Sequence, residues 1–121
     1  QDNIISLLTN GIWQRQSIDE ASNVEVHNSW KFERNGKGSN RIERFEDGVK
    51  SYDKTFYFQW AFTTESMAVI YILRQETGEE FWQIMDLTDS TLKVRASIKD
   101  PVLTPGIEYS EWIYKQNTKE D

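Results

Sequence analysis

The chain has 121 residues, and its 14 Lys and Arg against 20 Asp and Glu give a formal net charge of -6. This length predicts a single domain over residues 1–121, built around one hydrophobic core. Nucleic-acid binding needs concentrated Lys and Arg, so the acidic balance argues against a nucleic-acid partner. No apolar run approaches the roughly 20 residues that a membrane-spanning helix needs, so the chain is not predicted to span a membrane.

The chain opens with Gln1-Asp2-Asn3, without a Met and without a basic stretch followed by an apolar one. Such a start is typical of a mature product after signal cleavage, so we expect a secreted or periplasmic protein of the cell envelope. The absence of cysteine excludes disulfides and thiolate metal sites. His27 is the only histidine, which excludes a His-rich metal site. The sequence therefore predicts no metal and no cofactor.

A short helix is predicted over 2–10, with Ile4, Leu7 and Leu8 on one face and Asn10-Gly11 as its C-terminal stop. After Gly11, apolar and polar residues alternate with a period of two, which is typical of strands. The predicted strands cover approximately 11–18, 26–34, 39–46, 54–63, 67–75, 80–87, 91–98 and 107–115.

Short loops join these predicted strands, and short loops connect antiparallel neighbours, because parallel pairs need long crossovers. An open meander would leave two strand edges exposed, whereas closure into a barrel removes them. We therefore predict an all-β fold, an antiparallel up-and-down barrel of about eight strands over 11–115 with a short N-terminal helix. A polar tail follows over 116–121. A sandwich with Greek-key connections is the main alternative.

The alternation also predicts which side chains point into the barrel. Inward faces are expected to carry Trp30, Phe32, Phe56, Phe58, Trp60, Phe62, Trp82 and Ile84. The fifth strand, over 67–73, is apolar on both faces. Its outer face is either covered by the N-terminal helix or by a second subunit, or it is an exposed apolar patch. A monomer or a weak homodimer is expected.

Three segments resemble the lipocalin-like (calycin) group, in particular its small bacterial secreted members. The first is Gly11-Ile12-Trp13, similar to the G-x-W signature that follows a short helix in this group. The second is Trp30-Lys31-Phe32-Glu33 leading into Asn35-Gly36-Lys37-Gly38, and the third is the hairpin over 82–94. Together they cover most of residues 3–98, and the resemblance implies a β-barrel that binds a small molecule.

Trp13 follows directly after the predicted corner between helix and strand. A tryptophan there can close one end of a barrel, burying a large apolar area while its N–H donates to a carbonyl. Gly11 permits the close turn into the strand. We therefore predict that Gly11 and Trp13 form a structural plug, and that any ligand enters from the opposite end.

The sequence contains no catalytic signature. Ser29 lies two residues from His27 on the same strand face, but no nucleophile-elbow sequence surrounds it. The acidic pairs Asp19-Glu20, Glu79-Glu80 and Asp86/Asp89 lie at predicted turns, where charge serves solubility. General acid–base catalysis would need a carboxyl group held in a pocket with a shifted pKa. The chain is therefore predicted not to be an enzyme.

Aromatic residues are the most informative feature, with five Trp, five Tyr and six Phe. We predict a non-catalytic binding module for a small hydrophobic or amphipathic ligand, inside the barrel or at its mouth, with Arg15 as a polar anchor. The predicted aromatic lining consists of Trp30, Phe32, Phe58, Trp60, Tyr71 and Trp82. The alternative is a structural or protein-interaction module of the cell envelope, in which these rings fill the barrel and leave no site.

Overall fold

The computed structural model describes residues 2–75 and 77–117. One helix, α1 (Asp2–Thr9), precedes eight strands. The strands are β1 (Ile12–Asp19), β2 (Val24–Phe32), β3 (Lys37–Glu46), β4 (Val49–Phe62), β5 (Val69–Arg74), β6 (Gly78–Leu87), β7 (Thr91–Ser97) and β8 (Ser110–Asn117).

The eight strands form a closed barrel in the order β1 to β8, with every neighbouring pair antiparallel and β8 pairing back to β1. This confirms the predicted up-and-down barrel and excludes the Greek-key sandwich. Closure leaves the central strands without free edges, which is the physical reason for preferring it over an open meander. No helix in the described part of the chain is long and apolar enough to cross a membrane.

Most strand boundaries lie within three residues of the sequence prediction, and the start of β4 differs most. Strand β4 begins at Val49 rather than near residue 54, because β3 and β4 form a long hairpin that turns at Asp47-Gly48, where both residues have positive φ. The polar character of residues 50–54 hid this extension. Strand β8 extends to Asn117, so Gln116 and Asn117 belong to the barrel wall, where they pair with β1, and not to the tail. The rest of the predicted tail lies outside the described residues.

Helix α1 covers one end of the barrel, which we call the closed end, and contacts β2 and β6. Leu8, near the C-terminal end of α1, is fully buried. The chain leaves the helix through Gly11, whose φ of +107° is accessible to glycine. Trp13 is also fully buried, and its Nε1 donates a 2.9 Å hydrogen bond to the Leu8 carbonyl. The helix and the first strand are therefore joined by a polar contact inside the apolar core.

The opposite end of the barrel, which we call the mouth, carries the hairpin connections β1–β2, β3–β4 and β5–β6 and the longer segment 98–109. Pairing between β1 and β8 covers Ile12–Gln14, and pairing between β4 and β5 covers Phe58–Phe62. Among the described residues, the wall therefore continues toward the mouth as two sheets, β1–β4 and β5–β8. Side chains at the two seams between these sheets lie beside the barrel interior.

The outer face of β5 has a mixed environment. Val69 is buried, Tyr71 packs on Phe81 with ring centroids 5.2 Å apart, and Leu73 is 40% exposed. Leu73 is therefore the exposed apolar residue on the outer face of β5 among those described, while α1 packs on β2 and β6.

Candidate functional site

The predicted aromatic lining packs against itself instead of surrounding an open cavity. Ring centroids lie 4.6 Å apart for Trp30 and Trp82, 5.4 Å for Phe32 and Phe58, and 5.6 Å for Phe32 and Trp60. All five of these side chains are buried and belong to one core cluster. At this level the barrel is filled by its own rings, as an eight-stranded barrel allows. The expectation that they line an open pocket is corrected accordingly.

Tyr71 does not belong to this cluster, and its predicted inward orientation is wrong. It lies between the inward-facing Ile70 and Ile72, so the alternation of β5 turns it outward. Its hydroxyl donates to the Glu79 carboxylate at 2.8 Å, and this hydrogen bond raises the pKa of Tyr71. Because β5 is apolar on both faces, the sequence offered no contrast from which to assign its inner side.

A polar cluster lies above the aromatic core, on the mouth side. Arg74, the last residue of β5, places its guanidinium 4.8 Å from the Trp30 ring centroid. Its Nε lies 3.2 Å from the Glu80 carboxylate, and Nη2 donates to Asn40 Oδ1 at 3.3 Å. Glu80 also accepts a 2.6 Å hydrogen bond from Trp82 Nε1. One carboxylate therefore serves both a cation and an indole of the core.

Arg15 joins this cluster from the seam between β1 and β8. The pairing of the two strands reaches Gln14, and the next residue sends its guanidinium over the Trp112 ring at 4.0 Å and near the Tyr114 ring at 5.7 Å. Such stacking orients the planar guanidinium. None of the ion pairs among the described residues includes Arg15.

Tyr114 lies between Arg15 and the aromatic core. It is 1% exposed, and its ring lies 5.4 Å from that of Trp82. Burial raises the pKa of Tyr114, while the Arg15 guanidinium and the Trp30 indole favour the ionised form and Glu80 opposes it. The hydroxyl therefore lies within electrostatic reach of both cationic and anionic members of the cluster.

Two nitrogen atoms in this region are withdrawn from solvent and lack a hydrogen-bond partner of acceptable geometry. They are Arg15 Nε and Trp30 Nε1, and the side chains of both residues favour the ionised form of the nearby Tyr114 hydroxyl. Buried donors in folded proteins are nearly always paired, because an unpaired one forfeits its hydration. Both donors lie beside the Tyr114 hydroxyl, within the polar cluster.

An open hollow of about 920 Å³ lies at the mouth, beside this cluster. Arg74, Glu80 and Trp112 form part of its inner wall, and the segment 98–109 and its neighbours supply much of the rest. Its apolar lining comes from Ala96, Ile98, Pro105, Ile107, Tyr109 and Trp112. Glu79 and Glu108 also border it, so the hollow combines apolar side chains with one arginine and three carboxylates.

His27 and Ser29, the residues weighed for nucleophilic catalysis, lie apart from this hollow. The His27 ring packs on Phe45 with centroids 4.9 Å apart and contacts the Glu25 carboxylate. Ser29 accepts a 3.1 Å hydrogen bond from Gln14 Nε2. Both residues border a second, polar hollow of about 420 Å³ on the outside of β1–β4. No hydrogen bond joins His27 to Ser29 among the contacts of the described residues.

The two members of the acidic pair Glu79-Glu80 have different partners. Glu79 faces outward to Tyr71, whereas its neighbour Glu80 faces inward to Arg74. Within residues 2–75 and 77–117, no group of three His, Cys, Asp or Glu side chains is arranged to hold a metal ion. On the exterior, Asp53 accepts hydrogen bonds from Arg41 and from Lys50. The bond from Arg41 contributes most, and together the two hold the pKa of the Asp53 carboxyl well below its usual range. This is a surface ion-pair network.

Sequence reasoning placed Arg15 in the site but missed Arg74, Glu80, Trp112 and Tyr114. A usable signal was present for two of them. Arg74 has the parity of the core residues Ile70 and Ile72, and Glu80 has that of Trp82. A charged residue at an inward position near a strand end is unusual enough to be singled out.

Comparison with protein-family models, with curated proteins and with solved structures finds no match to this chain. Its function is therefore argued from the geometry of the site.

Proposed function

We propose that this chain is a non-catalytic binding module of lipocalin-like type that takes one small amphipathic ligand at the mouth of its barrel. The observation that carries the proposal is the hollow of about 920 Å³, whose lining combines Arg74 and Glu80 with the apolar side chains of Ala96, Ile98, Pro105, Ile107 and Trp112. Small-molecule sites typically combine an apolar lining with a few convergent polar groups.

The packing of the aromatic core limits how deep the ligand reaches. Trp30, Phe32 and Trp82 are buried against one another and occupy the barrel below the polar cluster. A ligand therefore binds in the hollow itself, beside Arg74, Glu80 and Trp112 and against residues of the segment 98–109. The short helix running into Gly11-Ile12-Trp13, together with the closed eight-stranded meander, supports the likeness to lipocalin-like proteins.

The proposal is tested by filling the hollow. Ala96 lines it on the inner side of β7, whereas Ala61 is exposed on the outside of β4. Medium-chain amphiphiles of several head groups are titrated while tryptophan fluorescence and the melting temperature are followed. A ligand that binds the folded state raises its melting temperature by mass action. We expect Ala96→Phe to weaken binding at least tenfold and Ala61→Phe to leave it unchanged.

Two outcomes of these titrations would contradict the proposal. If no amphiphile stabilises the unaltered protein, or if both variants weaken binding equally, the mouth is not the site. Native mass spectrometry of protein purified from its own source provides an independent check, because a retained small molecule would be detected directly.

A second candidate function, an interaction module with a filled barrel, is favoured by one observation. Three apolar side chains in the mouth segment are strongly exposed, with Ile98 at 72%, Val102 at 65% and Leu103 at 81%. Exposed apolar clusters mark contact surfaces. If the amphiphile panel fails and the triple substitution of these residues by Ser abolishes self-association measured by light scattering, this second function is supported.

A further inference from the structure

We infer that the polar hollow of about 420 Å³ on the outside of β1–β4, which we call the outer hollow, binds a neutral saccharide. Among the described residues it shares no lining residue with the hollow at the mouth, so it is a second site that does not depend on the proposed function. Three observations lead to it: the polar groups around Ser29, their balance of charge, and an exposed tyrosine ring at the border.

The register of the strands builds the outer hollow around a short side chain. Ser29 of β2 pairs with Gln14 of β1 and with Arg41 of β3. Directly paired residues of antiparallel strands lie on the same face of the sheet, and residues two apart on one strand share that face as well. Ser29, only 8% exposed, is therefore surrounded by four longer side chains, those of Gln14, His27, Lys31 and Arg41.

The polar groups of the outer hollow are of two kinds. Some are held in place: Ser29 accepts a 3.1 Å hydrogen bond from Gln14 Nε2, and Arg41 donates from Nε and Nη2 to the two Asp53 oxygens at 3.0 and 2.8 Å. Others make no hydrogen bond or ion pair through their side chains within the described part of the chain, namely Gln16, Lys31, Ser39 and Thr55. The lining therefore offers donors and acceptors side by side, and each hydroxyl of a saccharide can both donate and accept.

The charges around the outer hollow balance. With His27 counted as neutral, the charged residues of the lining and those in contact with them are three cations and three carboxylates, Lys31, Arg41, Lys50, Glu25, Glu43 and Asp53. The Glu43 carboxylate lies 3.4 Å from Arg41 Nη2 and 2.9 Å from Lys50 Nζ. An anionic ligand would meet Glu43 at close range and a cationic ligand would meet Arg41, and like charges in contact oppose binding. A neutral polar ligand avoids both penalties.

An exposed aromatic ring borders the outer hollow. Tyr57 of β4 is 60% exposed and pairs with Ser39, which lines the outer hollow, so the two side chains lie on the same face. Tyrosine offers an apolar ring face and a polar hydroxyl. A pyranose has the same division, with an apolar C–H face and a rim of hydroxyls. The ring of Tyr57 suits the C–H face, while Arg41 as donor and Glu43 as acceptor suit a pair of neighbouring hydroxyls.

The test titrates sugars of one ring size into the unaltered full chain. Glucose, galactose, mannose and N-acetylglucosamine form the neutral panel, and a sugar that binds is compared with its 6-phosphate and its 2-amino derivative. Backbone amide signals in a proton–nitrogen correlation spectrum locate the binding. We expect at least one neutral sugar to bind with a dissociation constant on the order of 1 mM, and its charged derivatives to bind at least about threefold more weakly. The shifted signals should belong to residues 27–31 and 39–43, with residues 96–109 unmoved.

A charge-removing variant assigns the binding to the outer hollow. Glu43→Gln keeps the shape of the side chain and removes its charge, and we expect it to weaken saccharide binding about tenfold, as is typical for a hydrogen bond to a charged group. The matched control is Glu111→Gln, whose carboxylate lies 3.4 Å from Arg95 on the outside of the opposite sheet. It should leave saccharide binding unchanged. Thermal unfolding verifies that each variant is folded.

A second pair of variants tests the tyrosine ring. Tyr57→Ala should weaken saccharide binding by about 3- to 10-fold, because the C–H face of the sugar loses its aromatic partner. Tyr52→Ala is the control, since Tyr52 belongs to the same strand, is 41% exposed and pairs with Arg44 on the other face of the sheet. Ala96→Phe, which fills the hollow at the mouth, should also leave saccharide binding unchanged.

Several results would overturn the inference. It fails if no neutral sugar moves the amide signals of the unaltered chain at concentrations of about 50 mM, well above the expected dissociation constant. Tighter binding of a 6-phosphate or a 2-amino derivative would refute the argument from charge balance. Shifts confined to residues 96–109, or equal losses for Glu43→Gln and Glu111→Gln, would refute the placement at the outer hollow.

Discussion

Replacing Trp13 by Phe tests whether the closed end is held by the contact between the first strand and α1. Trp13 is fully buried, and its Nε1 donates to the Leu8 carbonyl at 2.9 Å, so Trp13→Phe removes both a ring and a donor. The carbonyl is left inside the core without this partner, which costs about 1–3 kcal/mol. The smaller ring leaves roughly 40 Å³ of space, which costs about 1 kcal/mol at roughly 24 cal/mol per Å³.

The expected loss in the free energy of unfolding is therefore about 2–4 kcal/mol, a large share of the roughly 5–15 kcal/mol typical of a domain. For a chain of this size that loss lowers the melting temperature by roughly 6–20 °C. Urea unfolding followed by circular dichroism measures the free energy directly, provided that the slope m is unchanged.

Trp112→Phe is the matched control, because Trp112 is half-buried at the mouth and its ring stacks on Arg15 without contributing to the plug. We expect it to cost about 1 kcal/mol or less, since a phenyl ring can still stack on the guanidinium. Equal losses for Trp13→Phe and Trp112→Phe, or a loss below about 1 kcal/mol for Trp13→Phe, would refute the assigned role of the helix–strand hydrogen bond.

Two further predictions concern the middle of the barrel. Gly38→Ala should lower the free energy of unfolding by about 1–3 kcal/mol, because an added Cβ would lie 2.6 Å from the Lys31 carbonyl oxygen and closer still to the Phe58 ring. Urea unfolding measures this loss, and an unchanged midpoint would contradict the packing around Gly38. Burial raises the pKa of Tyr114 above its ordinary value of 10.0, so the folded state holds this proton where the unfolded state has lost it. The contribution of neutral Tyr114 to the free energy of unfolding is therefore fully present below about pH 10 and is lost as the pH rises through the pKa of the folded state. Melting temperatures measured from pH 8 to 11 should decline less steeply for Tyr114→Phe than for the unaltered chain, and parallel curves would contradict the assignment.

The architecture was accessible from sequence because two independent signals agreed. Gly11-Ile12-Trp13 located the first strand and its buried end, and the period-two alternation with short turns indicated an antiparallel meander. The largest boundary error falls where charged residues mask the alternation. Residues 50–54 form the start of β4, whose ion pairs with β3 replace apolar packing, as Lys50 and Glu43 illustrate.

The candidate site was less accessible, because its members come from distant segments. Arg15 is on β1, Arg74 on β5 and Tyr114 on β8, and only barrel closure brings them together. Sequence periodicity assigns a side chain to a face but not to a height along the barrel axis. For the same reason it identified the rings of Trp30 and Trp82 without showing that they contact each other and fill the interior. Export, a non-catalytic role and the monomeric or weakly dimeric state stay predictions.

The distribution of hydrogen bonds along the barrel axis separates stability from binding. At the closed end the buried indole groups are paired: Trp13 donates to Leu8, and Trp60 donates to the Glu33 carbonyl at 2.9 Å. On the mouth side Trp30 and Arg15 each hold an unpaired nitrogen. Buried polar groups that are not fully paired are expected at functional sites of natural proteins. Substitutions at the closed end should therefore lower the free energy of unfolding without changing the affinity for amphiphiles, whereas substitutions of Arg74 or Trp112, which line the hollow, should weaken binding.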